Sequence, residues 1–370
     1  MKILVVASLT PPATANYLIR ALRDAKHEVL VCSDVASPLA DHLVQGAVDA
    51  GEVCTRHGFA PELMLFVEGG TMRLFPTGLE RLPCLTAWYG IDTHMDYAKH
   101  LRIGRLFDIT FIAQKEFVEK LRTDGVRQVF WLPLAFAPEL HPQGPLERCY
   151  DVAYVGSDSA VVHPIRHALL AAIRRDIPNV FQGMASPREM GRIYAQAKMV
   201  FNKSVNNDIN MRYFEAMGAG AVLLTDHAND NGVEELFTVG EHFLEYDDEN
   251  SLIALLRELS RDPERCRRIG EAARRHVLEG HTYAYRANSL LERAGACVKS
   301  ANPAADAYFA VFIAMGMAAE ALQAATAAFD WRERGHGQRL VAGMARAGLS
   351  MLTFGAKALE RARKLARSAR

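Results

Sequence analysis

Residues Phe201–Asp226 read FNKSVNNDINMRYFEAMGAGAVLLTD, a polar loop and an amphipathic segment between two apolar runs. The runs Met199–Phe201 and Ala221–Leu224 are short and uninterrupted, which is typical of buried strands in a parallel sheet. Asn210 is a favourable N-cap residue, so a helix is predicted from there to Gly218. The stretch therefore predicts a strand–helix–strand unit, the repeating element of parallel α/β folds.

The loop of this unit carries more polar residues than a plain connection needs. Its polar side chains are Asn202, Lys203, Ser204, Asn206, Asn207, Asp208 and Asn210. Ligands of open parallel sheets bind outside the carboxyl ends of the strands, where this loop begins. The N–H groups and dipole of the helix favour an anion such as a phosphate. Arg212, a cation in the first helical turn, fits an anion in front of the helix.

Glu215 lies one turn after Arg212, and its carboxylate can accept two hydrogen bonds from a vicinal diol such as a ribose. A purely structural interpretation remains open. Asp208–Arg212 and Arg212–Glu215 would then be surface ion pairs, each contributing less than about 1 kcal/mol. Gly218 and Gly220 would only end the helix.

The alternation of apolar runs and helical patterns extends over most of the chain. Strands are predicted in the first half at Ile3–Ser8, Glu28–Cys32, Leu63–Val67, Leu85–Tyr89, Ile109–Ala113 and Val129–Leu132. The second half repeats the pattern from Asp151 to Cys297. Between them Leu132–Cys149 holds four prolines and is interpreted as a linker. We predict an α/β fold with two Rossmann-like domains, residues 1–140 and 141–298, and a helical extension, residues 299–370.

Composition excludes several classes of function. The formal net charge of zero disfavours a nucleic-acid binder. The six cysteines form no CxxC pair, which disfavours a disulfide scaffold or zinc site and predicts a cytoplasmic protein. SLTPPATA follows the first predicted strand in place of GxGxxG, so a dinucleotide-dependent oxidoreductase is disfavoured. The N-terminal run is interpreted as a strand rather than a signal peptide.

The last seventy or so residues differ from the rest. Ala307–Phe329 is long and Ala-rich, but Glu320 and Gln323 argue against a membrane span. A helical hairpin packed on the body is predicted instead. The basic end, KALERARKLARSAR, is interpreted as a solvated helix end, with peripheral contact to an anionic membrane or a partner as the alternative.

Several motifs resemble CgeB-like glycosyltransferases, relatives of the large retaining group with the GT-B fold. They include NMRYFEAMGAGAVLLTD, NGVEELFTVGEHFLEYDD, EGHTYAYRANSLL, DVAYVGS, FDITFIAQKEFVEKL and WYGIDTH, which together span roughly Leu63–Leu291. The resemblance implies a GT-B enzyme, whose two Rossmann-like domains face each other across a cleft. It also implies transfer of a sugar from a nucleotide-sugar to an acceptor hydroxyl, with retention and without a metal or other cofactor.

The resemblance assigns the donor to the second half. Glu215 corresponds to the glutamate that grips the donor ribose, whereas Asn207 stands where the wider group carries a first glutamate. That departure leaves contact with the donor sugar to Asp208. Arg212 and Lys203 would face the diphosphate, and Gly156 and Ser157 would let the backbone approach a phosphate. The other expected donor-binding residues are Asn202, Ser204, Asn210, Thr225 and Asp226.

The acceptor is assigned to the first half. Asp92 and His94 follow the predicted strand Leu85–Tyr89, so they are expected at the rim of the cleft. The resemblance makes His94 a contact of the transferred sugar or the acceptor, and Asp92 could orient it or deprotonate an acceptor hydroxyl. The alternative role for His94 is to cap the next helix. Glu68 is a further acceptor-side candidate. A metal site through Asp92, His94 and Asp96 is disfavoured, because no further ligand cluster accompanies them.

Three functional alternatives remain open at this stage. The leading one is a glycosyltransferase acting on a glycan, a lipid-linked glycan or a protein. A nucleotide-sugar 2-epimerase of the same fold would release nucleoside diphosphate without needing an acceptor. A non-catalytic subunit that binds a nucleotide-sugar or glycan is favoured by the absent first glutamate.

Overall fold

A computed structural model of the 370-residue chain describes residues 1–69, 74–142, 144 and 146–299. The predicted hairpin at Ala307–Phe329 and the basic end lie outside the described residues. None of the helices that the structure does describe is long and apolar enough to cross a membrane.

The first half is built on a parallel sheet. Its strands, β1 to β9, are Lys2–Ala7, Glu28–Ser33, His42–Leu43, Gly46–Asp49, Leu63–Val67, Leu74–Thr77, Leu85–Gly90, Ile109–Ile112 and Gln128–Trp131. Its helices, α1 to α4, are Thr14–Asp24, Ala50–His57, Tyr97–Gly104 and Val118–Thr123. Seven strands pair in the order β3-β2-β1-β5-β7-β8-β9, and β4 pairs separately with β6.

The second half repeats this architecture. Its strands, β10 to β14, are Tyr150–Val155, Val180–Gly183, Ala197–Phe201, Val222–Asp226 and Phe243–Tyr246. Its helices, α5 to α11, are Pro164–Asp176, Pro187–Ala195, Met211–Gly218, Val233–Leu236, Glu249–Arg261, Pro263–Gly280 and Tyr283–Gly295. The five strands are all parallel, in the order β11-β10-β12-β13-β14. The predicted α/β architecture with two parallel sheets is therefore confirmed.

Both sheets are covered on two faces, which explains the uninterrupted apolar runs. In β1, Ile3 and Val5 pack into one cluster, while Leu4 and Val6 pack into another on the opposite face. Successive strand residues point to opposite faces, so a strand buried on both sides needs an apolar residue at every position. This arrangement leaves the carboxyl ends of the strands as the polar edge of each sheet.

The proline-rich segment predicted as a linker is part of the core. Its described residues include a short 3-10 turn, Pro138–Leu140, and an isolated β-bridge between Phe136 and Thr282. Phe136 is 2% exposed and belongs to a cluster that includes residues of both halves. The Phe136 N–H donates to the His281 carbonyl at 2.8 Å, and the Tyr283 N–H donates to the Phe136 carbonyl at 3.0 Å. The prolines predicted the absence of regular structure, and the apolar residues between them bury the segment.

The last described helix returns to the first half. The Tyr283 ring, at the start of α11, lies 5.3 Å from the Tyr17 ring of α1, measured between centroids. The Arg286 Nε donates to the Pro133 carbonyl at 2.8 Å. The two halves thus share buried contacts through α11, and the domain limits at residues 140 and 298 stay a prediction.

Several short elements were absent from the prediction. They are α2, α3, α6, α8, β3, β4 and β6. Helix α6 had a usable signal, because Ser186 and Glu189 form a capping box ahead of it. Strand β3 has only two residues, too few for a periodic pattern to be recognised.

Gly218 gives a test of how the buried linker is packed. A Cβ at this position would overlap the Phe136 ring. We expect Gly218→Ala to lower the free energy of unfolding in urea by about 1–3 kcal/mol, because an overpacked core must shift. Gly295→Ala is the matched control, since a Cβ there meets open space. Equal stability of the two variants would contradict this packing.

Candidate active site

The carboxyl ends of β12 and β13 are joined by a buried hydrogen-bond network centred on Asn202. Its side-chain amide donates to Thr225 Oγ1 at 2.9 Å, and its Oδ1 accepts from Asn210 Nδ2 at 3.2 Å and Arg212 Nη1 at 2.7 Å. Asn202 and Thr225 are both 0% exposed. Both residues were predicted to bind the donor. In the structure their buried hydrogen bonds hold the carboxyl ends of β12 and β13 together.

Arg212 lies in the first turn of α7, and its guanidinium is held on three sides. Nε donates to Tyr194 Oη at 3.1 Å, and Nη2 donates to the Val155 carbonyl at 2.8 Å. The guanidinium also lies 4.7 Å from the centroid of the Tyr154 ring. Asn210 caps the helix by accepting from the Arg212 N–H at 3.1 Å.

The ion pairs of the structural alternative are absent from the described part of the chain. All the partners of the Arg212 guanidinium there are neutral oxygens or a ring, and neither Asp208 nor Glu215 is among them. Burying an uncompensated charge is costly. This arrangement leaves a fixed positive charge at the sheet edge, suited to an anion.

Arg166 is a second cation at the same edge, and the sequence prediction missed it. It lies in the first turn of α5, is 8% exposed, and donates to the Lys203 carbonyl at 3.0 Å and the Ser157 carbonyl at 3.3 Å. Its guanidinium lies 5.8 Å from the Tyr154 ring centroid. The signal was available, because a cation in a first helical turn opposes the helix dipole, as Arg212 does.

Gly156 has a structural part at this edge, and its approach to a phosphate stays a prediction. Its N–H donates to the Gly183 carbonyl at 2.9 Å, so it is not directed at a ligand. Its φ is +147°, and a Cβ there would lie 3.0 Å from Arg212 Nη2. Glycine at this position makes room for the Arg212 guanidinium. Ser157, beside it, is exposed at the rim.

Lys203 is neutralised by a neighbour. Its Nζ lies 2.7 Å from Asp226 Oδ2, and the same carboxylate accepts from the Ser204 N–H and hydroxyl, both at 2.7 Å. Lys203, Ser204 and Asp226 therefore form a closed group that links the ends of β12 and β13. Arg212 and Arg166, by contrast, have no carboxylate among their described partners.

The loop before α7 is bent by two asparagines. Asn206 and Asn207 have φ of 49° and 66°, the left-handed region that asparagine tolerates better than most residues. The Asn207 side chain pairs with the Asn229 backbone, donating to its carbonyl at 2.6 Å and accepting from its N–H at 3.0 Å. The residue at the position of the absent glutamate therefore fastens the loop.

Asp208 faces the first half across the cleft. It is 9% exposed, and its Oδ1 accepts from the Val205 N–H at 3.0 Å. Burial raises the pKa of the Asp208 carboxyl, while His94 in the other half acts in the opposite direction. Asn206 makes the direct contact between the rims, since its Nδ2 donates to the His94 carbonyl at 3.3 Å.

Asp92 and His94 lie on the turn after β7, as predicted. Burial raises the pKa of Asp92, Glu68 raises it further, and His94 opposes the rise. Asp208 also raises the Asp92 pKa. The Nδ1 atom of His94 is buried and has no hydrogen-bond partner among the described residues. The two halves therefore bring Asp92, His94 and Asp208 together.

Glu116 joins this group and was not predicted. It lies in the 3-10 turn Lys115–Phe117 that follows β8, the strand next to β7 in the sheet. Burial raises its pKa, and the charge of Asp208 adds to the effect. Its neighbour Lys115 forms an ion pair with Glu235, a second bridge between the halves. A glutamate three residues after the predicted strand Ile109–Ala113 was the available signal.

Glu215 and Glu68 occupy very different surroundings. The Glu215 carboxylate accepts no hydrogen bond from the described residues, and burial raises its pKa to about 7, with Arg212 opposing the rise. Glu68 is 4% exposed and has partners at both carboxylate oxygens. Glu215 is thus free to accept hydrogen bonds from a ligand, whereas Glu68 is enclosed.

No three His, Cys, Asp or Glu side chains of the described residues are arranged to hold a metal ion.

Comparison with known proteins agrees with this architecture. Residues 150–292 match the family model described as glycosyl transferase-like. No curated protein matches the chain. The chain superposes on Anabaena HepE in complex with UDP and glucose with a TM-score of 0.61 at 14% identity, covering 80% of this chain and 100% of that one.

Two further solved structures share the architecture. Sucrose-phosphate synthase from Thermosynechococcus elongatus gives a TM-score of 0.56 at 13% identity, covering 79% of this chain and 98% of that one. A Listeria monocytogenes protein assigned as a UDP-N-acetylglucosamine 2-epimerase gives 0.54 at 13%, covering 78% and 94%. At these identities the likeness shows the fold. The chain has the GT-B fold, and its second half is glycosyltransferase-like in sequence.

The raised pKa of Glu215 predicts a pH-dependent cost in stability. The folded state holds the proton to about pH 7, whereas an unfolded glutamate loses it near pH 4.5, so stability falls as pH rises between these values. Glu215→Gln removes the ionisation. We expect it to increase the free energy of unfolding at pH 8 by about 1–3 kcal/mol, with little change at pH 4.5.

Urea unfolding of wild type and variant at the two pH values measures this difference. Glu279→Gln is the control, because Glu279 is exposed on α10. An equal effect of Glu215→Gln at both pH values would show that the carboxyl ionises normally in the folded protein.

Proposed function

We propose that this protein is a glycosyltransferase that moves a sugar from a nucleotide-sugar to an acceptor hydroxyl. The observation that carries the proposal is the Arg212 guanidinium, which Tyr194, Asn202 and the Val155 carbonyl fix and which has no carboxylate partner among the described residues. It lies at the edge of a GT-B cleft, beside Arg166. The glycosyl transferase-like match over residues 150–292 and the UDP held by HepE support the same conclusion.

The donor diphosphate would bind at Arg212, Arg166 and the N-terminus of α7. When the bond between the anomeric carbon and the diphosphate oxygen breaks, negative charge develops on the leaving group. A preorganised guanidinium stabilises that charge directly, so we propose departure without help from a metal. The Glu215 carboxylate, which accepts no hydrogen bond from the part of the chain that the structure describes, would accept hydrogen bonds from the donor ribose.

The acceptor would enter from the Asp92 side. Its hydroxyl oxygen bonds to the anomeric carbon and its proton passes to a base, for which Asp92 is suited because burial raises its pKa. His94, Asp208 and Glu116 would bind hydroxyls of the transferred sugar and the acceptor. Closure of the two halves would exclude water that could hydrolyse the donor. Retention of configuration and a CgeB-like assignment follow from the sequence resemblance.

Two other functions each have an observation in their favour. The likeness to the Listeria monocytogenes protein assigned as a UDP-N-acetylglucosamine 2-epimerase supports a nucleotide-sugar 2-epimerase. Asn207, fastened to Asn229 where related enzymes carry a glutamate, supports a non-catalytic binding subunit. The acceptor would be a glycan, a lipid-linked glycan or a protein. A cytoplasmic location and contact with membranes or partners through residues 299–370 remain proposals.

Calorimetric titration with UDP, GDP, dTDP, CDP and ADP, with and without Mg²⁺, is the first test. We expect one diphosphate to bind with micromolar affinity in the absence of metal.

Incubation with the matching nucleotide-sugars then separates the alternatives. Release of nucleoside diphosphate that requires an acceptor supports transfer, and release without an acceptor, accompanied by an altered sugar, supports epimerisation. Binding without turnover of any donor and acceptor pair would favour the non-catalytic subunit.

Arg212→Gln should weaken binding of that diphosphate about tenfold to a hundredfold, because a charge-assisted contact is lost. Arg148→Gln is the matched control. Arg148 also donates to backbone carbonyls, those of Ala197 and Gly220, but these lie at the opposite, amino ends of the strands. Arg148→Gln should leave the affinity unchanged. Unchanged affinity in a folded Arg212→Gln protein would overturn the donor-site assignment.

A further inference from the structure

The buried carboxylate of Glu68 accepts hydrogen bonds from the backbone of the turn that carries Asp92 and His94. Glu68 Oε2 accepts from the Ile91 N–H at 2.6 Å and from the Asp92 N–H at 3.1 Å. Glu68 Oε1 lies 3.0 Å from His100 Nε2. The Glu68 side chain is 3% exposed and the His100 side chain 0%. A substrate therefore has no access to either oxygen of Glu68.

His100 extends this support to the middle of the same turn. Its Nδ1 lies 3.0 Å from Thr93 Oγ1, and the Thr93 N–H donates to Gln114 Oε1 at 3.2 Å. The Trp88 ring packs edge-on against the imidazole, with 5.0 Å between the centroids. The backbone of residues 91–93 is thus fixed by side chains from α3 and from the segments that follow β5 and β8.

The Glu68–His100 pair is by itself no evidence of a gain in stability. Burial opposes the ionised form of Glu68, but His100 and the two backbone N–H groups outweigh it and hold the pKa of Glu68 below its usual range. Buried ion pairs are often no better for stability than apolar residues of similar volume. The pair does, however, give fixed partners to N–H groups that lie beyond the end of β7.

We propose that Glu68 and His100 are positioning residues that hold the turn 91–95, so that Asp92 and His94 face the donor sugar and Asp208. This inference rests on the proposed glycosyl transfer. Glu68 was expected to contact the acceptor directly. We propose instead that it acts through the turn that carries Asp92 and His94. Glu68 also acts electrostatically on Asp92, because its negative charge disfavours ionisation of that carboxyl.

Glu68→Gln keeps the size of the side chain and removes its charge. We expect kcat to fall about tenfold or more through misplacement of the turn, while KM for the donor and the affinity for the nucleoside diphosphate stay within about twofold because the donor site lies in the other half. The acidic limb of the kcat/KM pH profile should move to lower pH, because Asp92 loses a negative neighbour. A merely structural role would not move this limb.

Hydrogen exchange gives a readout that does not depend on activity. The Ile91 and Asp92 amides should exchange about tenfold faster in Glu68→Gln, with the amides of β7 unchanged. His100→Gln keeps an amide donor toward Glu68 and should retain more activity than His100→Phe. Asp151→Asn is the matched control, since Asp151 is a buried carboxylate, 2.7 Å from Lys198 Nζ, near the amino end of β10.

The outcomes separate this inference from the proposed function. Faster exchange at Ile91 and Asp92 in a protein that has no transferase activity would support the role of Glu68 in holding the turn and reject glycosyl transfer. Exchange, kcat and pH profile indistinguishable from those of Asp151→Asn would overturn the positioning role while leaving glycosyl transfer intact.

Discussion

The partly buried guanidinium of Arg212 sets the geometry of the carboxyl edge of the second sheet. A cation removed from water must find oxygen partners, and those of Arg212 come from β10, α6 and the end of β12. The same requirement explains why Gly156 has no side chain and why Asn202 is completely buried. Because every described partner is neutral, the charge of Arg212 persists and is available to an anion.

The cleft places two guanidinium groups of one half opposite two carboxyl groups of the other. The second half places Arg166 and Arg212 at its edge, while the first half contributes Asp92 and Glu116. A diphosphate suits the first pair, and hydroxyl groups, which can donate hydrogen bonds to carboxylates, suit the second. Burial raises the pKa of both Asp92 and Glu116, and perturbed carboxyl groups of this kind are typical of functional sites. Glu215 follows the same pattern, since its burial disfavours the ionised form at neutral pH.

The longer elements were predictable because burial on both faces leaves a strong pattern. Leu63–Val67 was predicted with the limits that the structure shows. The ends of such strands also located Arg212, Asp208, Asp92 and His94 at the cleft, because parallel strands place their carboxyl ends along one edge. Glu68 was correctly placed after a strand, but its burial depends on how α3 covers it, which no local pattern reveals.

The residues missed at the site share a different feature. Arg166 and Glu116 lie eleven and four residues beyond the ends of β10 and β8, within segments whose patterns look ordinary. Their importance comes from neighbours that are distant in sequence, the Tyr154 ring for Arg166 and Asp208 for Glu116. Side chains far apart in sequence become neighbours only when the sheets and their covering helices are assembled.

The sequence by itself determined the parallel α/β architecture and the polar edge of each sheet, and it indicated an anion as the ligand of Arg212. Those properties follow from local patterns, the apolar strands and the first turn of a helix. Only the tertiary structure decided which charges stay unpaired. Lys203 is neutralised by Asp226 and Glu68 is enclosed with His100, whereas Arg212 and Glu215 keep their charge or their lone pairs for a ligand. Pairing depends on distance in space, and the distances between these groups were set by packing.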